Sequence, residues 1–281
     1  MNNKKNINQL LIEALDIHNQ RKYEEAKKKY QKILEFDSEN FDANNLLGVL
    51  FIETKDFYNA EKYLTKSIKI NPKNFSAYNN LGIVFNEQNN SDKAINFLNQ
   101  AIKLNENYAE AYNNRGLSYL KLNKNNEAIN DFNKAILIKN DFIFAYNNLA
   151  ISCLKQNKKD AALVNCNISL SLKFNTEALL IRAEIFFLQR KYKESIQDFS
   201  EAIKLKVDIG DRLLKYIFSK KILAEWDNLD NLIKDFETNL EQSKYSGDYF
   251  FTLSILECPV KLKTYSKLNS INFFQSSKPN L

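Results

Sequence analysis

Small and large apolar positions alternate with polar ones along this chain in a pattern that restarts every 34 residues. The stretches AYNNLG (77–82), AYNNRG (111–116) and AYNNLA (145–150) set that interval, and the same register extends in both directions. With Phe41 as position 1, the units are 7–40, 41–74, 75–108, 109–142, 143–175 and 176–209; the fifth is one residue short, near Phe174 and Asn175. Position 8 is always small (Ala14, Gly48, Gly82, Gly116, Ala150, Ala183), as is position 20 (Ala26, Ala60, Ala94, Ala128, Ala162, Ser195). Bulkier residues mostly fill positions 11 and 24, such as Phe51 with Leu64 and Tyr119 with Phe132. This spacing predicts two helices per unit, packed closely where the small residues stand, because a small side chain lets a neighbouring helix approach. Short polar stretches such as 54–56 and 88–91 fit the connections, and Pro72 falls where a helix has ended.

The pattern resembles the tetratricopeptide repeat, a 34-residue helix-turn-helix unit with A-x-x-x-F-x-x-A along its second helix, here Ala128, Phe132 and Ala135. The resemblance spans residues 7–209 in six copies. It implies an all-α, right-handed superhelix (an α-solenoid), because units that cannot bury their apolar faces alone must stack. Residues 210–243 are expected to form a degenerate seventh unit or cap, followed by a C-terminal extension (244–281) that ends in loose residues.

At 100° per residue, position 6 points about 160° away from position 8 and so away from the second helix. In the resembled family that direction is the concave groove. Position 6 holds Asn80, Asn114 and Asn148, and the neighbouring position 9 holds Ile83, Leu117 and Ile151. An amide both donates and accepts, which complements an extended peptide backbone, and aliphatic flanks can take its side chains. These six are the candidate peptide-binding residues. The first asparagine of each pair (Asn45, Asn79, Asn113, Asn147) points between core and groove, and a hydrogen-bonding role between repeats is expected for it. The carboxylate clamp of some tetratricopeptide domains, with Lys at position 5 and Asn at position 9, is not matched.

Composition narrows the function. Five glycines, three of them on the period, leave no G-x-G-x-x-G or P-loop. One histidine, His18, in a polar stretch is expected to be an ordinary surface residue. Cys153, Cys166 and Cys258 lack metal or redox spacing, and the first two read as small apolar fillers. No cofactor, metal or catalytic residue is expected. The formal charge of +6 is spread as lysines among acids, which suggests solvated helix faces rather than a nucleic-acid surface, and no apolar run suggests a membrane span. A cytoplasmic location and a protein or peptide partner follow as expectations.

Beyond residue 225, Trp226, Asp227, Asp230, Phe250, Leu253 and Pro259 resemble the segment joining the tetratricopeptide superhelix to the catalytic region in protein O-linked N-acetylglucosamine transferases and SPINDLY-like relatives. That family also carries an asparagine ladder at position 6, while its nucleotide-sugar-binding lobes have no counterpart in this sequence. Two functions are thus expected as alternatives: a scaffold that holds extended polypeptide, or the acceptor-recognition arm of such a glycosyltransferase without its catalytic domain.

Overall fold

The computed structural model describes residues 2–225 and 227–241, and all regular structure among them is helical. Two compact units divide the chain, residues 1–156 and 157–281. The first contains α1 (Asn2–Asn19), α2 (Tyr23–Phe36), α3 (Phe41–Glu53), α4 (Phe57–Ile70), α5 (Phe75–Glu87), α6 (Ser91–Leu104), α7 (Ala109–Lys121), α8 (Asn125–Ile138) and α9 (Ile143–Lys155). Helices α1, α3, α5 and α7 each pack on the helix that follows, and α2, α4, α6 and α8 each pack on the first helix of the next pair. The first helices α3, α5, α7 and α9 also touch one another in succession, so they form one continuous face.

The small residues explain the tight pairing. A Cβ placed on Gly82 would lie 2.5 Å from Leu98 Cγ, one on Gly48 would lie 2.6 Å from Leu64 Cγ, and one on Gly116 would lie 2.6 Å from Phe132 Cε1. In this unit glycine is therefore used at the crossing and not at the turns. The turns instead place Arg21, Lys55, Asn89 and Asn123 in the left-handed region, with φ near +60°. Each closes its helix by a paired motif: Lys55 N–H donates to Ile52 O and Asp56 N–H to Phe51 O, at 3.0 and 2.8 Å. Lysine carries a Cβ penalty there that glycine lacks. Lys55→Gly is expected to raise stability by about 1 kcal/mol, read as a higher urea midpoint of the intact chain.

Many asparagines prove to be helix caps. The side chains of Asn40, Asn74 and Asn90 accept from the backbone N–H of Ala43, Ala77 and Lys93 at 3.0–3.2 Å. Asp56 does the same for Asn59.

Position 7 faces position 23 of the same repeat, sixteen residues on, and the pair changes character along the chain. Glu13 and Lys29 form an ion pair at 2.9 Å. Leu47 with Tyr63 and Leu81 with Phe97 occupy the same positions in the apolar core. In the fourth repeat Arg115 grips Asp131 with two hydrogen bonds of 2.7 Å and reaches Asn99 of the preceding repeat with a third. Burial opposes the Arg115 charge, but the hydrogen bonds and charge of Asp131 outweigh it and hold the guanidinium above its ordinary pKa.

His18 corrects the surface expectation. It is 6% exposed, its Nδ1 lies 3.2 Å from the Tyr30 hydroxyl and its Nε2 3.4 Å from Glu53. Position 12 of a first helix turns inward here, so the polar neighbours of His18 in sequence misled the expectation. Burial, with Glu53 adding to it, pushes the Tyr30 hydroxyl up to about 12.

The second unit contains α10 (Lys159–Leu172), α11 (Thr176–Leu188), α12 (Tyr192–Lys204), a 3-10 turn (Gly210–Arg212), α13 (Leu213–Ile222) and α14 (Leu229–Glu241). Its α10–α11 connection has three residues, 173–175, where the corresponding connections of the first unit have four. Arg182 and Asp198 repeat the position 7 to 23 fork at 2.7 and 2.8 Å. Leu229 is buried against a core that includes Leu213 and Ile217. Cys153 in the first unit and Cys166 in the second are both buried. Trp226, Cys258 and residues 242–281 lie outside the described residues, and with them most of the linker resemblance and the C-terminal extension.

Candidate functional site

The asparagine pairs form a single chain of amides across the first-helix face. Asn148 Nδ2 donates to Asn113 Oδ1 at 2.9 Å, Asn114 Nδ2 to Asn79 Oδ1 at 2.9 Å, and Asn80 Nδ2 to Asn45 Oδ1 at 3.4 Å. Within each pair, longer contacts of 3.5 Å carry the chain from Asn113 to Asn114 and from Asn79 to Asn80. The second asparagine of each pair thus joins the link between repeats, a role expected of the first alone. Each donates one N–H to the preceding repeat and keeps a second, because a carboxamide has two. Asn114 and Asn148 are half-buried, whereas Asn80 is only 9% exposed.

Beside this row, α5, α7 and α9 enclose a cavity of about 370 Å³, lined by Ile83, Asn86, Glu87, Asn114, Leu117, Leu120, Lys121 and Lys155. Three candidate residues, Ile83, Asn114 and Leu117, therefore meet in one place. Asn80, Asn148 and Ile151 lie on the same helices but do not line it.

Asn86 was not singled out by sequence. The Ser118 hydroxyl donates to Asn114 O at 3.0 Å, so its oxygen is left to accept, and it accepts from Asn86 Nδ2 at 2.7 Å. This fixes the amide, and Asn86 Oδ1 stays buried without a donor. The Lys121 ammonium donates to the Asn86 carbonyl across the cavity edge. Positions 12 and 13 follow position 9 by three and four residues and so share its face, a signal already present in the spacing.

Four repeat models match the sequence, one described as TPR repeat at 84–123 and three as tetratricopeptide repeat at 41–74, 63–96 and 109–142. Residues 41–142 are tetratricopeptide repeats. Among solved structures, PilF of Pseudomonas aeruginosa is 19% identical, with 80% of this chain and all of that one covered and a TM-score of 0.66. A tetratricopeptide repeat protein of Parabacteroides merdae is 17% identical, covering 93% and 99%, with a TM-score of 0.64. At these identities the likeness is one of fold, and it extends the tetratricopeptide architecture over most of the chain. No curated protein matches the sequence. The glycosyltransferase-linker resemblance gains no support from these matches. No described helix is long and apolar enough to cross a membrane.

Proposed function

We propose that this tetratricopeptide chain is an interaction module that holds extended polypeptide along the first-helix face of residues 1–156, with no chemistry of its own. The carrying observation is the amide row that passes the cavity of α5, α7 and α9 at Asn114. There Asn114 keeps an N–H not used between repeats, and Ile83 and Leu117 offer apolar contact beside it. Backbone-directed polar contacts with aliphatic flanks favour a segment of loose sequence demand. The division into six repeats over 7–209, a cap at 210–243 and an extension at 244–281 belongs to the same proposal. A cytoplasmic location rests on the composition and the three unpatterned cysteines.

The triple variant Asn80→Ala, Asn114→Ala, Asn148→Ala tests the site. It is expected to keep its helical circular dichroism, lose some stability because three links between repeats go, and bind an array of random extended peptides about tenfold more weakly. An array signal equal to wild type from the folded variant would sink the assignment of these asparagines.

The alternative, an acceptor-recognition arm of a glycosyltransferase-like protein, rests on six residues of which Asp227 and Asp230 alone are among those described. A glycosyltransferase reading frame adjoining this one would support it, and unrelated neighbours would count against it.

A further inference from the structure

The cavity of α5, α7 and α9 carries three charges that the repeat itself leaves unused. Glu87, Lys121 and Lys155 are the last residues of their helices, equivalent in the repeat, and all three line the cavity. Lysine suits the negative end of a helix, while glutamate there is unfavourable by roughly 0.3–1 kcal/mol. The sign at Glu87 is therefore not set by its own helix. Among the described residues, none of the three has an oppositely charged group within 4 Å. Lys121 is steadied on the Asn86 carbonyl, and all three side chains are exposed. Between the opposite signs the wall is apolar, made by Ile83, Leu117 and Leu120.

We propose that this cavity selects an extended peptide in which a basic side chain, aliphatic side chains and an acidic side chain follow one another. The basic group lies against Glu87, the aliphatic ones on Ile83 and Leu117, and the acidic one between Lys121 and Lys155. Adjacent packed helices stand about 10 Å apart and an extended chain advances about 3.3 Å per residue, so each repeat takes about three residues. From Glu87 to midway between Lys121 and Lys155 is one and a half repeats, so the opposite charges of the ligand are about four to five residues apart. The proposal rests on the groove reading above and adds the charge order of its ligand.

The test uses three end-blocked fluorescent peptides sharing a Leu-Ser-Leu centre: one flanked by lysines on one side and glutamates on the other, one with lysines on both sides, and one with glutamates on both. Titrated at low salt against the intact chain, the bipolar peptide is expected to bind about tenfold tighter than either single-sign peptide. In the variant Lys121→Glu, Lys155→Glu, whose altered residues are exposed, the all-lysine peptide should become the tightest. Equal ranking of the peptides by wild type, or a bipolar preference that survives the double substitution, overturns the charge order and leaves the groove reading standing. Failure of every peptide to bind folded wild type overturns both.

Discussion

Gly82→Leu is expected to destabilise the α5–α6 pair by about 3 kcal/mol or more, because the first added carbon alone would stand 2.5 Å from Leu98 Cγ and 2.8 Å from Leu98 Cδ2. Leu98 is fully buried, and its Cγ is a branch point rather than a free tip, so it cannot swing away without parting the helices. Replacing glycine in a helix normally gains nearly 1 kcal/mol, which makes the smaller change Gly82→Ala informative: here it should lose stability. The double variant Gly82→Ala, Leu98→Ala should show favourable coupling, because shortening Leu98 removes the clash. Urea unfolding followed by circular dichroism measures all three. An unchanged midpoint for Gly82→Leu would refute the contact.

Arg115→Ala should cost about 3 kcal/mol, the range for breaking a buried ion pair from one side. Asp131 is 6% exposed and accepts two guanidinium hydrogen bonds, so losing the arginine leaves a carboxylate in the core without its donors. The penalty belongs to the stranded charge and not to the loss of a favourable pair. Arg115→Leu combined with Asp131→Phe recreates the Leu81 and Phe97 arrangement of the preceding repeat and should recover most of the stability. A single variant as stable as wild type would show that water reaches Asp131.

The architecture was legible because its determinants are size and hydrophobicity at fixed phase. Gly48, Gly82 and Gly116 announce the helix crossings, and each sits opposite the bulky position 24 residue that the register pairs with it. The site was legible only in part. Asn114 and Leu117 could be aimed at the groove by helix angle, but angle alone does not reveal what else an amide touches, and the links from Asn80, Asn114 and Asn148 to the preceding repeat appear only when two helices are placed side by side. His18 shows the same limit, since its partners Tyr30 and Glu53 come from two other helices. The Arg115–Asp131 fork was present as a correlated change sixteen residues apart, but it is recognisable only once positions 7 and 23 are seen to face each other across the two helices.

Three first helices that share AYNN in a row invite a folding error: any second helix could dock on the wrong first helix and still find small residues waiting for it. The position 7 and 23 pairs discriminate among those dockings. Lys29 suits Glu13 and would sit against Arg115 or Leu81 elsewhere, and Asp131 displaced onto Leu47 or Leu81 would be a buried, unmatched charge. The pairs thus sort the hairpins into acid–base, apolar and Arg–Asp classes, so a chain built on one repeat has fewer wrong dockings open to it.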